Sequence, residues 1–337
     1  MKVSVIIPVY NTAGEGKLNF CLDSILHQTC SDLEIIAVDD ASTDESPEVL
    51  KEYAEKYPDR FHVYTHEKNS RQGTAKNTGR QYAKGEWISF IDSDDWITPD
   101  YYEKLLQKAE ETGADFVGCD CSIVREHTFT PGNPVTLYTE QHCGVLDEEK
   151  HTLHIMECGY MVTKIYKRSV IEENHLRFPE GIFYEDNCAG PLWSVHFTHF
   201  EKVSEPMYFY YQHSTSTVNT ITESRCRDRM TAMDIMLKSM KENGGLEKYH
   251  DAVEFRYTEL YFVNTLFSYM LGCKEKHIGF VKELKKGILN NFPNFRQNPY
   301  YPRIKDAEQK KMIDLLMKST MGFYVYYSAL WMYRRMR

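Results

Sequence analysis

The sequence predicts an α/β protein in two parts, 1–220 and 221–337. The first is a doubly wound, mostly parallel sheet flanked by helices, and the second is a mainly helical region. Three observations carry this. Short apolar runs rich in β-branched and aromatic residues recur at 3–9, 33–38, 61–65, 86–92 and 115–123, each the length of a buried strand. Segments of helical periodicity separate them, which implies parallel βαβ units. From about Ser224 onward the texture changes to helix-spaced methionine, leucine and phenylalanine.

The elements follow in order. Val3-Ser-Val-Ile-Ile-Pro-Val9 reads as a buried strand, and Tyr10-Asn11 opens a Gly-containing loop. Leu18, Cys21, Leu22, Ile25 and Leu26 fall on one helical face. Leu33–Val38 is a second strand that ends in Asp39-Asp40, and Pro47 opens a helix to about Tyr57. Phe61–Thr65 is a third strand, followed by a helix over about 73–83. The strand 86–92 then ends abruptly in Asp92-Ser93-Asp94-Asp95. Pro99 opens a helix to about Thr112, and 115–123 is a further strand.

The middle is less regular. A loop is expected at 130–134, a helix at 147–157, and a short mixed segment at 161–166. A turn at 178–181 leads into Tyr184-Glu185-Asp186 and a helix interrupted by Pro191, and 206–212 is an aromatic strand candidate. Met230, Met233, Met236, Leu237 and Met240 form one helical stripe, and Leu260, Val263, Leu266, Phe267 and Met270 another. Helix packing explains both. The three prolines of 290–302 suggest a linker, and a last helix pair runs to the end.

Composition bounds the function. Hydrophobic residues at 42% and charged residues at 26% are ordinary for a folded chain. A net charge of −9 argues against a nucleic-acid partner, whose footprint would be basic. Nine scattered cysteines without a Cys-x-x-Cys pair read as reduced, mostly buried thiols of a cytoplasmic protein. The apolar run after Lys2 reads as a strand rather than a signal peptide.

Residues 319–333 carry no charge, hold Phe323, Tyr324, Tyr326, Tyr327, Trp331 and Tyr333, and are flanked by Lys318 and Arg334, Arg335 and Arg337. They are too few to cross a bilayer. Peripheral contact of 318–337 with a membrane interface and packing on the helical region or a second subunit both fit such a segment.

Taken alone, Asp92-Ser93-Asp94 has two readings. Strand-end carboxylates in an open α/β sheet suit a metal–diphosphate site, and Asp is equally a common turn residue. The ordered set of stretches is more specific. Pro8-Val-Tyr-Asn11, Asp39-Asp40-Ala-Ser-Thr-Asp44, Gly73-Thr-Ala-Lys-Asn77-Thr-Gly79, Ala83-Lys-Gly85, Asp92-Ser-Asp94-Asp95 and Tyr184-Glu185-Asp186 together resemble the family 2 glycosyltransferases, over about residues 2–215.

The resemblance implies a GT-A, Rossmann-like fold and an inverting, non-processive transfer from a UDP-sugar to a glycan or lipid-linked acceptor. The Gln-x-x-Arg-Trp motif of the processive synthases is missing. It implies that Pro8, Val9, Tyr10 and Asn11 frame the base and ribose, and that Asp39, beside Asp40, accepts from the uracil N–H. Lys76 and Asn77 would lie beside the nucleotide. Lys76 stands where family members usually carry Arg, so Arg71 is a substitute candidate for base or phosphate. Asp94 would ligate Mn²⁺ or Mg²⁺ directly, Asp92 would contact the ribose or the ion's water, and Ser93 sits between them. Asp186 would be the general base with Glu185 at its side.

Two softer expectations are a diphosphate-covering loop at Tyr210–His213 with Ser216, and an acceptor-side segment at Lys164–Arg168. Two other functions compete: a non-catalytic nucleotide-sugar- or glycan-binding module, and a sugar nucleotidyltransferase. The latter needs a Gly-rich loop where Pro-Val-Tyr-Asn stands.

Overall fold

β1 (Val3–Val9) and β2 (Leu33–Asp39) are buried along their whole length, as continuous apolar runs at the centre of a parallel sheet should be. They belong to a computed structural model that describes residues 2–157, 159–212 and 221–335, the side chains of 334 and 335 excepted. The chain divides into two compact units, Met1–His213 and Ser214–Arg337.

In the first unit α1 (Lys17–Leu26) follows β1 and buries Leu18, Cys21, Leu22, Ile25 and Leu26, the face its spacing predicts. After β2 come α2 (Ser46–Lys56), with Pro47 in its first turn, β3 (Phe61–Thr65), α3 (Gln72–Tyr82) and β4 (Trp87–Phe90). β5 (Trp96–Ile97) is short. α4 (Tyr101–Thr112) ends at Gly113, whose φ of +76° provides the left-handed cap. β6 (Phe116–Val124), β7 (Asn133–Val135), β8 (Gly144–Val145), α5 (Glu148–Met156), β9 (Lys164–Lys167), α6 (Arg168–Glu173), α7 (Glu185–Ser194) and β10 (His199–Tyr211) complete the unit.

The strand order is β3-β2-β1-β4-β9-β6-β10-β5, with β7 added on β6 and β8 on β10. β3-β2-β1-β4 and β6-β10 pair in parallel, as the alternation of strands and helices predicts. The mixed segment at 161–166 becomes β9, which runs antiparallel to both β4 and β6 and joins the two parallel blocks. The aromatic strand is longer than its sequence suggests. β10 runs 13 residues, with register shifts on either side of Pro206, the one position that cannot donate to the ladder. The loop expected at 130–134 likewise runs into β7, paired with β6.

The described residues of the second unit form helices and the short segments that join them, with no strand. It comprises α8 (Glu223–Glu242), α9 (Gly245–Lys248), α10 (His250–Tyr257), a π-helical segment (Thr258–Asn264), α11 (Thr265–Gly272), α12 (Ile278–Asn291), α13 (Ala307–Lys318) and α14 (Thr320–Arg335). Both predicted stripes are buried. The expected linker at 290–302 is instead built into the fold. α12 continues to Asn291, two 3₁₀ turns follow, and Phe292, Phe295 and Asn298 are buried. The prolines end helices there without freeing the chain, because the two phenylalanines anchor it.

α14 packs on α11 and α12, with the Phe267 and Tyr327 rings 5.7 Å apart and the Tyr324 hydroxyl donating to the Lys276 carbonyl at 2.8 Å. Its other face leaves Met321, Val325, Tyr326, Met332 and Tyr333 exposed. No helix among the described residues is long and apolar enough to cross a membrane. Eight cysteines are free thiols, and Cys158 lies outside the described residues.

Candidate active site

The ends of β1 and β2 lie side by side, with Val9 opposite Asp39. The Val9 carbonyl accepts from the Asp40 N–H at 2.8 Å, so Val9 faces β2. Pro8 therefore turns its missing donor toward β4, beyond the last β1–β4 pair, Ile6 with Phe90. Tyr10 is exposed just past the strand. Asn11 adopts φ +53°, and its Oδ1 accepts from the Thr43 N–H at 2.7 Å, while its own N–H donates to Ser42 Oγ at 3.0 Å. Asn11 thus laces the two strand-end loops together.

The paired aspartates separate by role. Asp39 is buried, with Oδ1 accepting from the Ser42 N–H at 3.0 Å, and its other oxygen has no hydrogen bond among the described residues. Asp40 uses both oxygens inside the fold. It accepts from His66 Nδ1 at 2.7 Å and from the Ser70 and Arg71 N–H groups, each at 2.8 Å. Asp40 thereby ties the end of β2 to the entry of α3. Arg71 at that entry has φ +74°, and its guanidinium stacks 4.4 Å over the Phe183 ring.

The glycines of the 73–79 stretch are steric. A Cβ on Gly73 would stand 2.2 Å from the Pro179 carbonyl oxygen and 3.1 Å from Glu185 Cβ, and one on Gly79 would stand 2.5 Å from Ile6 Cγ2. Only glycine lets α3 lie this close to both the sheet and the 179–185 loop. Asn77 clamps the same loop from below. Its Oδ1 accepts from the Phe178 N–H at 3.0 Å, and its Nδ2 donates to the Phe178 carbonyl at 2.9 Å and to Glu180 at 3.0 Å. The amide expected beside the nucleotide is fully engaged in holding the loop.

Lys76 joins two carboxylates. Its buried Nζ donates to Glu185 Oε1 at 2.9 Å and lies 3.9 Å from Asp92 Oδ1. Burial opposes the ammonium charge, but Glu185 and Asp92 outweigh it and raise the Lys76 pKa. Glu185, itself buried, is thereby an ion-pair partner anchoring the first turn of α7. Asp186 follows it in the first turn of α7, where the helix dipole favours a carboxylate, and its Oδ1 accepts from the Asn187 N–H at 2.8 Å. Tyr184, at φ +65°, makes the sharp entry into that turn.

The three aspartates beyond β4 also divide. Asp95 is buried, and its oxygens accept from the Tyr208 hydroxyl at 2.7 Å and the Tyr211 N–H at 2.8 Å, pinning the turn to β10. Ser93 is buried, while Asp92 and Asp94 are partly exposed. Asp92 accepts a hydrogen bond from the Gln72 amide. Its pKa is raised to about 6, first by burial and then, against the pull of Lys76, by Asp94, Glu185 and Asp186. Three further carboxylates and one ammonium therefore act on Asp92. An excess of carboxylate oxygen over positive charge is the donor chemistry that a hard divalent cation takes.

The comparisons give the family and the fold. The model described as Glycosyl transferase family 2 matches residues 4–174. EpsH of Bacillus subtilis (strain 168), whose own assignment as a glycosyltransferase is provisional, is 34% identical over 261 residues, 75% of this chain and 73% of EpsH. The chain belongs to glycosyl transferase family 2. A poly(ribitol-phosphate) beta-glucosyltransferase of Bacillus spizizenii is 32% identical over 190 residues, which are 54% of this chain but only 27% of that enzyme. The crystal structure of S. aureus TarS 1-349 in complex with UDP matches with a TM-score of 0.67 at 20% identity, covering 100% of this chain and 92% of that one. The fold is accordingly the GT-A fold that the ordered motifs of this family 2 chain imply.

Some site residues lie outside the sequence reading. Gln72, which holds Asp92, and Phe183, which stacks on Arg71, have no local signature, because their partners are 20 and 112 residues away. Of the softer expectations, Lys164 is buried, its Nζ donating to the Tyr160 carbonyl at 2.9 Å, and Arg168 forks onto Glu172. His213 and Ser216 lie outside the described residues.

Proposed function

We propose that this family 2 enzyme moves a hexosyl or N-acetylhexosaminyl group from a UDP-sugar to a hydroxyl of a glycan or lipid-linked acceptor, with inversion and without processive elongation. The observation that carries this reading is the charge imbalance around Asp92, where Asp94, Glu185 and Asp186 face a single ammonium, Lys76. Such a site accepts a cation with its diphosphate at the end of a strand, and the free oxygen of Asp39 offers the uracil N–H an acceptor next to it. The crystal structure of TarS 1-349 in complex with UDP-GlcNAc, at 19% identity, supports a donor of this class.

In this reading Asp186 removes the proton of the acceptor hydroxyl as that oxygen attacks the anomeric carbon. The bond from that carbon to the diphosphate breaks, and its electron pair leaves with UDP. One in-line displacement inverts the centre, so an α-linked donor gives a β-linked product. Lys76 holds Glu185, which fixes the turn carrying Asp186, while Gln72 fixes Asp92. Mn²⁺ or Mg²⁺ bound through Asp94 and Asp92 would supply charge neutralisation to the diphosphate. The exposed apolar face of α14, with Lys318 before it, suits peripheral contact with the inner face of a membrane carrying the acceptor. The same face would serve a second subunit equally well.

A screen of UDP-glucose, UDP-galactose and their N-acetyl forms, read by UDP release with Mn²⁺ or Mg²⁺, tests the proposal. One donor should turn over well above the others. Absence of turnover with every UDP-sugar would point instead to a binding module.

A further inference from the structure

The helical unit contains a cavity of about 260 Å³ whose walls carry a concentration of metal-ligating groups. It lies between the start of α10, which contributes His250, Asp251 and Glu254, and the end of α12 with the segment after it, which contributes Asn291, Phe292 and Asn298. His250 and Glu254 are four residues apart, so one helical face presents both. The ligand atoms of His250, Asp251 and Glu254 all lie within 4.8 Å of one another, the one such His/Cys/Asp/Glu triplet among the described residues.

Glu254 is the second, independent observation. It is 7% exposed, yet no cation pairs with it among the described residues. One oxygen accepts from Asn298 Nδ2 at 2.7 Å, and the other has no hydrogen bond there. A buried carboxylate with one neutral donor is costly unless a positive charge joins it.

The amide donors beside it are already engaged. Asn298 Nδ2 also donates to the Asp251 carbonyl at 2.9 Å, and Asn291 Nδ2 donates to the Tyr257 hydroxyl and the Gly287 carbonyl, each at 3.1 Å. What these groups still offer is oxygen. His250 Nδ1 lies 3.1 Å from Asp251 Oδ1, close enough for both atoms to bond one ion when the ring proton sits on Nε2.

We propose that this cavity is a divalent-cation site in the helical unit, with His250, Asp251 and Glu254 as protein ligands and the Asn291 side-chain oxygen at its edge. The mixed nitrogen and oxygen set favours a zinc-class ion over Ca²⁺, which takes oxygen alone. Ligands bonded at about 2.1 Å to one ion stand no more than about 4.2 Å apart. The exposed His250 and Asp251 side chains therefore close slightly onto the fixed Glu254. The positive end of α10 opposes a cation here, and two carboxylates outweigh that partial charge. An ion so held clips α10 to the 291–298 segment.

The test is titration of the full chain, stripped with a chelator and kept reduced, with Co²⁺ and then Zn²⁺. Co²⁺ reports its ligands. Thiolate ligation gives near-ultraviolet charge-transfer absorption, whereas nitrogen and oxygen ligation gives visible bands without it. In Asp94→Asn, where the cation site proposed in the first unit is weakened, the expected result is one equivalent of Co²⁺ bound without a thiolate band and displaced by Zn²⁺. Its affinity should fall at least tenfold in His250→Ala and in Glu254→Gln. His250 is exposed, so its variant should fold even if Glu254→Gln does not. Equal Co²⁺ affinity in His250→Ala and wild type, or binding seen solely through thiolate bands, would overturn the assignment.

Discussion

The Lys76–Glu185 pair makes a quantitative prediction. Lys76 has one carboxylate at 2.9 Å and a second, Asp92, at 3.9 Å, and both members of the closer pair are buried. At an effective dielectric of about 20 the two attractions are worth about 6 and about 4 kcal/mol. Desolvation of the ammonium cancels several kcal/mol of this, so removing it should cost the net ~3–5 kcal/mol typical of breaking a buried pair. Lys76→Met leaves Glu185 and Asp92 uncompensated and should destabilise the first unit by that amount. Lys76→Met/Glu185→Met removes both charges and should recover more than half of the loss. Urea unfolding followed by fluorescence, arranged as a double-mutant cycle with Glu185→Met, measures the coupling. A Lys76→Met cost below about 1 kcal/mol, or singles that simply add, would refute the idea that this pair fastens α7 to α3.

Three further outcomes are expected. Gly73→Ala places a methyl 2.2 Å from the Pro179 carbonyl oxygen, so the 179–185 loop must shift; about 1–3 kcal/mol of stability and most UDP-sugar turnover should be lost, read by melting and UDP release. Burial holds the His154 pKa down to about 3, whereas the unfolded chain protonates near 6.5. Its contribution is complete above about pH 6.5 and is lost toward pH 3 by about 1.4 kcal/mol per pH unit, so His154→Gln should flatten the acid limb of the stability curve relative to wild type. Asp94→Asn should weaken UDP binding in the presence of Mn²⁺ at least tenfold and leave metal-free binding nearly unchanged, which calorimetry can resolve.

Much of the first unit was legible because its elements are locally encoded. β1 and β2 are continuous apolar runs, α1 shows its buried stripe in the spacing of Leu18, Cys21, Leu22 and Ile25, and the carboxylates at 39, 92 and 94 follow strands directly. Direction was not legible. Lys164–Lys167 reads the same whether it pairs parallel or antiparallel, and only the preceding 3₁₀ turn and its two neighbours decide. Side-chain partners were less legible, because a carboxylate or amide in a motif does not say whether it faces ligand or fold. Asp40, Asp95, Asn77 and Glu185 are engaged by His66, Tyr208, Phe178 and Lys76, and the last three of these partners lie 101 or more residues away in sequence. The order at 290–302 was missed because prolines suggested a linker, while Phe292 and Phe295 carried the opposing signal.

The central claim, that Asp186 is the base of a UDP-sugar transferase and that Asp94 belongs to the leaving group, is tested most directly by Asp186→Asn. With the preferred donor and acceptor, transfer should fall by 10²-fold or more, the scale of a lost general base, while UDP affinity stays within about twofold of wild type. Transfer by Asp186→Asn at near wild-type rate would contradict the account.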